Sequence, residues 1–176
     1  NNSGSHNVAI GRWALVEAVS VSELTAVGTS ALQNNTSGLR NTAVGFEAMQ
    51  YSTTFNDNAA FGYRALKSNA MFGNTAFGSQ AMTANSTGSQ NAALGRSAMA
   101  ANVTGSFNVA VGDLALATGG TGNNNNTAVG MSALYKSAGS GNTAVGSWSQ
   151  GNYFQTWTNS GSDNTTVGSG TLYYNY

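Results

Sequence analysis

The chain has 176 residues with six basic and six acidic side chains, so its net charge is zero, and charged residues make up only 7% of it. Since an average domain has about 25% charged residues, we expect a polar, uncharged surface without the basic patch that nucleic acid requires. The sequence contains no run of about 18 apolar residues, so it does not predict a membrane-spanning helix. The absence of cysteine excludes disulfides and thiolate metal sites.

A five-residue motif, Asn-Thr-Ala-Val-Gly at 41–45, recurs ten times. The closing glycines lie 16 to 18 residues apart, except for a last interval of 22 residues. Position one is Asn in nine copies, position three is Ala in nine, position four is always apolar and position five is always Gly. A fixed period of this length is the signature of a solenoid or array. The closing glycines are Gly11, Gly28, Gly45, Gly62, Gly78, Gly95, Gly112, Gly130, Gly146 and Gly168.

In chain order, residues 1–33 hold two atypical copies, the second of which has Leu24 in place of Asn. Residues 34–146 form the regular array, and 147–176 hold an atypical end with several aromatic residues. Terminal repeats of a solenoid are expected to differ because they cap the stack. We therefore predict a single repeat domain over 1–176, with about ten coils of about 17 residues.

Within one copy, the motif has the alternation of a strand. Ala43 is expected to face the inside of a thin coil that has room only for a methyl group, while Thr42 and Val44 face the other way. Gly45 permits a backbone angle or a close approach that a side chain would forbid. The pattern predicts an all-β fold, a parallel β-solenoid.

Two further columns follow from the alignment. Ala48 and Met49 represent an Ala-Leu or Ala-Met pair that comes three and four residues after the glycine. We expect a second short strand or turn there, with Ala inward and Leu or Met outward. Asn41 represents the Asn column, which is predicted to form an amide ladder from coil to coil; the alternative is that Asn merely tolerates a turn.

Such a thin coil buries little apolar area, so the apolar positions would remain as long stripes on a monomer. Stripes of this size usually mark an interface, and a closed homo-oligomer is the simplest way to cover them. Two stripes are candidates for closing along a threefold axis: Val44, Phe61, Phe77, Leu94 and Val111, or Met49, Leu66, Met82, Met99 and Leu116.

The stretch Asn7-Val8-Ala9-Ile10-Gly11-Arg12-Trp13-Ala14 resembles the head repeats of trimeric autotransporter adhesins of the YadA type. The longer form, Asn-Thr-Ala-Val-Gly-x-x-Ala-Leu followed by Thr-Gly-Ser-x-Asn, is even more similar to repeats of bacteriophage tail fibres. Adhesin heads usually have a shorter period than the 17 residues that predominate here, which favours the fibre version. The resemblance implies a left-handed parallel β-roll, a homotrimer, and attachment to a surface, either extracellular or on a virion.

The sequence gives little material for catalysis. His6 is the single histidine, too few for a multi-histidine metal site and poorly placed for a catalytic triad. The six carboxylates fall in different copies and positions, so no acid–base pair is indicated. We therefore predict that the chain is not an enzyme and that it has neither a cofactor nor a metal site.

An aromatic cluster near the C-terminus is the one candidate contact for a glycan or receptor; its members are Trp148, Tyr153, Phe154 and Trp157. Rings beside Asn and Asp suit sugars, but they would equally cap the open end of the stack. Asn85 and Asn102 begin glycosylation sequons, which Asn- and Thr-rich turns also produce by chance.

These features predict a structural or adhesive fibre segment that spaces or presents an attachment site. Its partners would be other copies of the chain and a cell-surface glycan or protein receptor. One alternative is an ice-binding solenoid, through a Thr column that is interrupted by Val8, Ala59, Ala92 and Val109. Another is a subunit of a homopolymeric extracellular filament.

Overall fold

The computed structural model describes residues 4–69, 71–118, 122–151 and 161–172. Each motif copy forms one three-residue strand, and the ten strands make a single parallel sheet in sequence order. The predicted all-β parallel solenoid is confirmed, and none of the described residues lies in a helix. The strands are β1 (Val8–Ile10), β2 (Thr25–Val27), β3 (Thr42–Val44), β4 (Ala59–Phe61), β5 (Thr75–Phe77), β6 (Ala92–Leu94), β7 (Val109–Val111), β8 (Thr127–Val129), β9 (Thr143–Val145) and β10 (Thr165–Val167).

Equivalent positions of the motif stack directly on one another. Between β3 and β4, for example, Ala43 pairs with Ala60 and Val44 with Phe61, and the same register holds for every neighbouring pair of strands. Each motif position thus becomes a column along the molecule, with a spacing of about 4.8 Å between strands. Some circuits between strands include residues outside the described ranges, so the count of about ten coils stays a prediction.

The sheet forms one wall of the coil, which we call the strand wall. From β2 to β9 its central alanines are buried, as predicted, and Ala43 has no exposed surface, while Thr42 and Val44 on either side are half-buried. In the terminal strand β1, which has a neighbour on one side only, Ala9 is exposed. Gly45, at the end of the strand, has a φ of 137°, and a Cβ there would overlap the carbonyl of Gly62 in the next coil. Glycine is therefore required by both the backbone angle and the close approach.

Wherever the structure describes all of them, the six residues after a closing glycine form the opposite wall, which we call the turn wall. In 46–51, Ala48 N–H donates to Gly45 O (3.3 Å) and Gln50 N–H donates to Glu47 O (3.3 Å), giving two overlapping turns. Glu47 and Met49 have φ values of 55° and 50°, as expected for the third residue of type II turns. The intervening amides bond to neighbouring coils, so the turns also stack into a ladder.

The Leu or Met column lies inside the coil, and its expected outward orientation was wrong. Met49, Leu66, Met82 and Met99 have no exposed surface, and Leu116 is 2% exposed. The physical reason is the left-handed backbone at these residues, which removes the alternation of an extended strand and turns two successive side chains inward. This column fills the core of a single chain, so it is not available to close along an axis between chains.

The predicted asparagine ladder is confirmed. Asn41 Oδ1 accepts bonds from both the backbone N–H (3.0 Å) and the side-chain amide (3.2 Å) of Asn58. The same pair of bonds joins Asn91 to Asn74 and Asn108 to Asn91. These amides are buried, so each ladder bond also satisfies a group that would be costly to leave unpaired.

Candidate functional site

The outer surface of the strand wall carries two parallel columns, and we call this surface the strand face. The column at motif position four is apolar throughout. It is most exposed at the two terminal strands, at Val167 (69%) and Ile10 (60%), and in the middle of the sheet it is about half-exposed at Phe77 (53%) and Leu94 (50%). The rings of Phe61 and Phe77 stack on each other with centroids 5.1 Å apart. The face is a continuous apolar strip of the kind that usually marks an interface.

The column at motif position two lies on the same face, because residues two apart in a strand point the same way. Thr42, Thr127 and Thr143 are half-buried there, and Thr75 is exposed. The threonines and the apolar residues therefore share one surface rather than opposite ones. Any partner that covers one column covers the other.

The outer surface of the turn wall, the turn face, is made by the residues one, two, five and six positions after each closing glycine. Following Gly78, these are small or neutral polar residues: Ser79, Gln80, Thr83 and Ala84. The circuits that follow Gly45 and Gly62 depart from this pattern and carry rings and charges. We call the residues of this departure the aromatic–ionic cluster: Phe46, Glu47, Tyr51, Tyr63, Arg64 and Lys67.

The charged part of the cluster joins two cations to one carboxylate oxygen. Arg64 Nε lies 2.7 Å and Lys67 Nζ 2.6 Å from Glu47 Oε2, and the Glu47 side chain is only 15% exposed. The hydrogen bond from Lys67, and then that from Arg64, holds the pKa of Glu47 below its ordinary value, against the opposing effect of desolvation. Glu47 is therefore a carboxylate at neutral pH, and the group carries one net positive charge.

The aromatic part of the cluster surrounds these charges. The rings of Phe46 and Tyr63 stack nearly parallel, with centroids 5.7 Å apart. The Arg64 guanidinium lies 4.8 Å from the Tyr63 ring centroid, and Lys67 Nζ lies 5.4 Å from that of Tyr51. Both distances are within the range of cation–π attraction.

The sequence analysis missed this cluster, although the sequence contains a signal for it. The motif is defined by what the repeats share, and the cluster shows only as a departure from it. Glu47 and the residue 17 positions later, Arg64, occupy the same position in successive copies. A search for opposite charges one period apart would have found the pair.

Two other ion pairs join residues that occupy equivalent positions in successive coils. Arg40 Nε lies 2.6 Å from Asp57 Oδ1, and Arg96 Nη2 lies 2.8 Å from Asp113 Oδ2. The hydrogen bond with Arg40 lowers the pKa of Asp57. These pairs are largely exposed, and such pairs contribute little to stability.

The described part of the chain has neither a group of metal ligands nor a membrane-spanning helix. His6 is exposed, and no three histidine or acidic side chains there are grouped as metal ligands. No helix with the length and hydrophobicity of a membrane span occurs in these ranges.

The C-terminal aromatic cluster is described only at Trp148. This residue is half-buried, and its ring makes an edge contact with Tyr135 at 6.4 Å between centroids. Tyr153, Phe154 and Trp157 lie outside the described residues. A glycan contact at this end of the chain therefore stays a prediction.

The asparagines that begin the sequons at 85 and 102 lie inside the coil. Asn85 has no exposed surface and Asn102 is 4% exposed. The Asn85 amide donates to Gly88 O (2.8 Å) and to Asn69 Oδ1 (2.9 Å), and the Asn102 amide donates to Asn85 Oδ1 (3.2 Å). These side chains are a second amide column, and a glycan on either would require that the coil open.

The fold defines the chain as a repeat protein with parallel β-solenoid architecture. Comparison with protein-family models, with curated proteins and with solved structures found no match. The similarity to fibre and adhesin repeats therefore rests on the motif alone.

Proposed function

We propose that this chain is a segment of a structural or adhesive fibre, extracellular or on a virion, whose copies associate through the strand face. The observation that carries the proposal is the apolar column at motif position four, which runs along all ten strands and is half-exposed at Phe77 and Leu94. An apolar strip of this length on a molecule without net charge favours association. Several copies of the chain lying parallel would cover this strip, and the resulting rod would present or space an attachment site.

The sizes of the two columns favour other copies of the same chain as the partner. Where position four is large, as in Phe61 and Leu94, position two of the same strand is small, as in Ala59 and Ala92. When neighbouring copies lie in register, these bulky residues would enter the gaps of the next copy at the same level. Phe77 with Thr75 and Ile10 with Val8 are the exceptions. A closed ring of copies satisfies every such contact, and the resemblance to fibre repeats favours three.

The interior also suits a load-bearing rod. The strand ladder, the turn ladder and the asparagine column each bond one coil to the next. Repeat proteins of this kind are stabilised chiefly by contacts between adjacent units. Stiffness along the axis therefore comes from each chain, and association through the strand face would add lateral support.

The test is the mass in solution, by sedimentation, of the unmodified chain and of a Phe77→Ser/Leu94→Ser variant. We expect a species of three chains for the former and dissociation toward the 17.9 kDa monomer for the latter. The matched control, Phe72→Ser/Met131→Ser, removes exposed apolar side chains from outside the strand face and should remain assembled. An unmodified chain that stays monomeric at all concentrations would overturn the proposal, and micrographs would distinguish discrete rods from filaments.

A second candidate, ice binding, is supported by one observation. The threonines at position two stand in register beside the apolar column on the same outer face. On a monomer this surface would be open to water. Inhibition of ice recrystallisation by a monomeric chain, lost in a Thr127→Val/Thr143→Val variant, would favour this function; an assembled chain without such activity would exclude it.

A further inference from the structure

We propose that the aromatic–ionic cluster on the turn face binds an acidic carbohydrate, through the sugar ring and through a carboxylate or phosphate attached to it. The proposal deepens the attachment function above, because it names the chemistry of the receptor. It does not depend on association through the strand face, since all six residues lie in two successive circuits of one chain.

The other copies show that the fold does not require these residues. The same turn backbone forms after Gly78, with two left-handed residues in equivalent places and equivalent turn hydrogen bonds to the closing glycine. Yet that circuit has Ser79 where the cluster has Phe46 and Tyr63, Gln80 where it has Arg64, Thr83 where it has Lys67, and Ala84 where it has Tyr51. Bulky rings and charges at these positions are additions to a scaffold that forms without them.

The charge of the cluster favours an anion. Two cations share one carboxylate, which leaves an excess of one positive charge in a chain whose net charge is zero. Within the described residues, Arg64 uses only Nε in its hydrogen bond to Glu47, so its two terminal nitrogens remain to form the paired bonds that a carboxylate or phosphate accepts. Glu47 Oε1 in turn can accept a bond from a sugar hydroxyl.

The rings supply the apolar surface that a sugar ring needs. The side chains of Phe46, Tyr51 and Tyr63 are each roughly half-exposed, with Tyr51 the most open at 52%. Aromatic rings with a polar tip offer one apolar and one hydrogen-bonding region. A small anion without a ring would use the charges alone, so the combination favours a carbohydrate with an acidic group.

The position of the cluster suits a receptor site on an assembled fibre. Both walls direct their alanines into the same core, so the outer surfaces of the two walls face away from each other. Covering the strand face with other copies would therefore leave the turn face open. The site would then recur once for each chain around the fibre.

The test is calorimetric titration of the full chain at low ionic strength with three probes: an oligosaccharide of galacturonic acid, its neutral methyl ester, and a sugar phosphate. Each cluster variant takes its residue from another copy, namely Arg64→Gln, Lys67→Gln and Tyr51→Ala. We expect the chain to bind an acidic probe about tenfold or more tightly than the ester, and each variant to lose about tenfold. The control is Arg96→Ser, which removes one positive charge, as Arg64→Gln does. It introduces the residue that another copy has at this position, Ser79, and it should leave the affinity unchanged.

The outcomes separate this site from the fibre proposal. Preference between the carboxylate and the phosphate probe identifies the acidic group, and either supports the site. Equal binding of the ester, an equal loss in Arg96→Ser, or no binding of any probe overturns it, whatever the sedimentation result. If the cluster variants lower only the melting temperature, the cluster is a stabilising contact between two coils and not a site.

Discussion

The strand wall and the turn wall enclose one alanine-lined core with different backbones, and the difference decides which side chains reach the surface. In the strand wall, extended residues alternate, so one side chain in each strand points inward. In the turn wall, a left-handed residue follows the alanine, so both Ala48 and Met49 point inward. A left-handed backbone costs about 1–2 kcal/mol, which burial of a Leu or Met side chain, about 1.5–3 kcal/mol, offsets.

This difference gives the two outer faces different properties. The strand face must carry the apolar residues of motif position four, because extended geometry leaves them no place inside. The turn face loses one large apolar residue of each circuit to the core and is otherwise free to vary. It has small polar residues after Gly78, the aromatic–ionic cluster after Gly45 and Gly62, and a separate Arg12–Trp13 pair after Gly11. Association is therefore expected at the first face and ligand binding at the second.

The largest effect is expected where the two walls meet. Gly95→Ala places a Cβ against the carbonyl of Gly112 at a φ of 140°, and overpacking with backbone strain should lower the free energy of unfolding by about 2–6 kcal/mol. Chemical denaturation measures it. Gly170→Ala is at a φ of 66° and meets no atom within 4 Å, so it shows the cost of an alanine in the ordinary left-handed region without overlap and should be the milder change; equal losses would contradict the close approach.

Truncation of one residue from each wall separates core from interface. Met82→Ala removes a fully buried side chain and should lower the free energy of unfolding of the chain by about 2–5 kcal/mol, whatever its oligomeric state. Leu94→Ala removes a half-exposed one and should act mainly on association. Denaturation of dilute and concentrated samples tests this: only the Leu94 effect should grow with concentration. If the Met82→Ala effect also grew with protein concentration, the Leu or Met column would have to lie at the interface between chains.

Overpacking tests the interior of the strand wall. Ala76→Leu adds volume at a position with no exposed surface and should cost about 1–3 kcal/mol of unfolding free energy. Ala84→Leu makes the same change on the exposed turn face and should be nearly neutral. Similar melting temperatures for the two variants would show that the inside and the outside of the coil are wrongly assigned.

The smallest effect concerns the charges of the turn face. The folded pKa of Glu47 lies below its ordinary value, so the unfolded state takes up a proton first as the pH falls. The stabilisation is then present above the ordinary value, about 4.3, and is lost as the pH falls through the folded value. Glu47→Gln should lower the free energy of unfolding by under about 1 kcal/mol at pH 7 and by little at pH 3. Chemical denaturation at both pH values measures the two losses. A loss that persists at pH 3, or is unchanged in a Lys67→Gln background, would contradict the ion pair.

The period, the strands and the asparagine column could be read from the sequence, because they repeat and each has a local physical cause. Ala43, Val44 and Gly45 belong to an extended stretch whose alternation and glycine requirement need no tertiary information. Stacking then follows from the register, since the same side chain meets itself in every coil. The ladder of Asn41 and Asn58 is one consequence.

The position of Met49 and its equivalents could not be predicted in this way. Interpreted as a strand, two successive residues would point to opposite sides, so one of them would be outside. The sequence gives no sign of a left-handed backbone here, because non-glycine residues disfavour it, and only packing in the coil overrides that penalty. The cluster around Glu47 was missed for a related reason: Arg64 and Lys67 are 17 and 20 residues away in the chain, and only the coil brings them to one oxygen. The sequence by itself determined the repeating unit and its inward alanines. The tertiary structure decided which large side chains fill the core and which meet on the surface, because those choices depend on contacts between coils rather than on any one repeat.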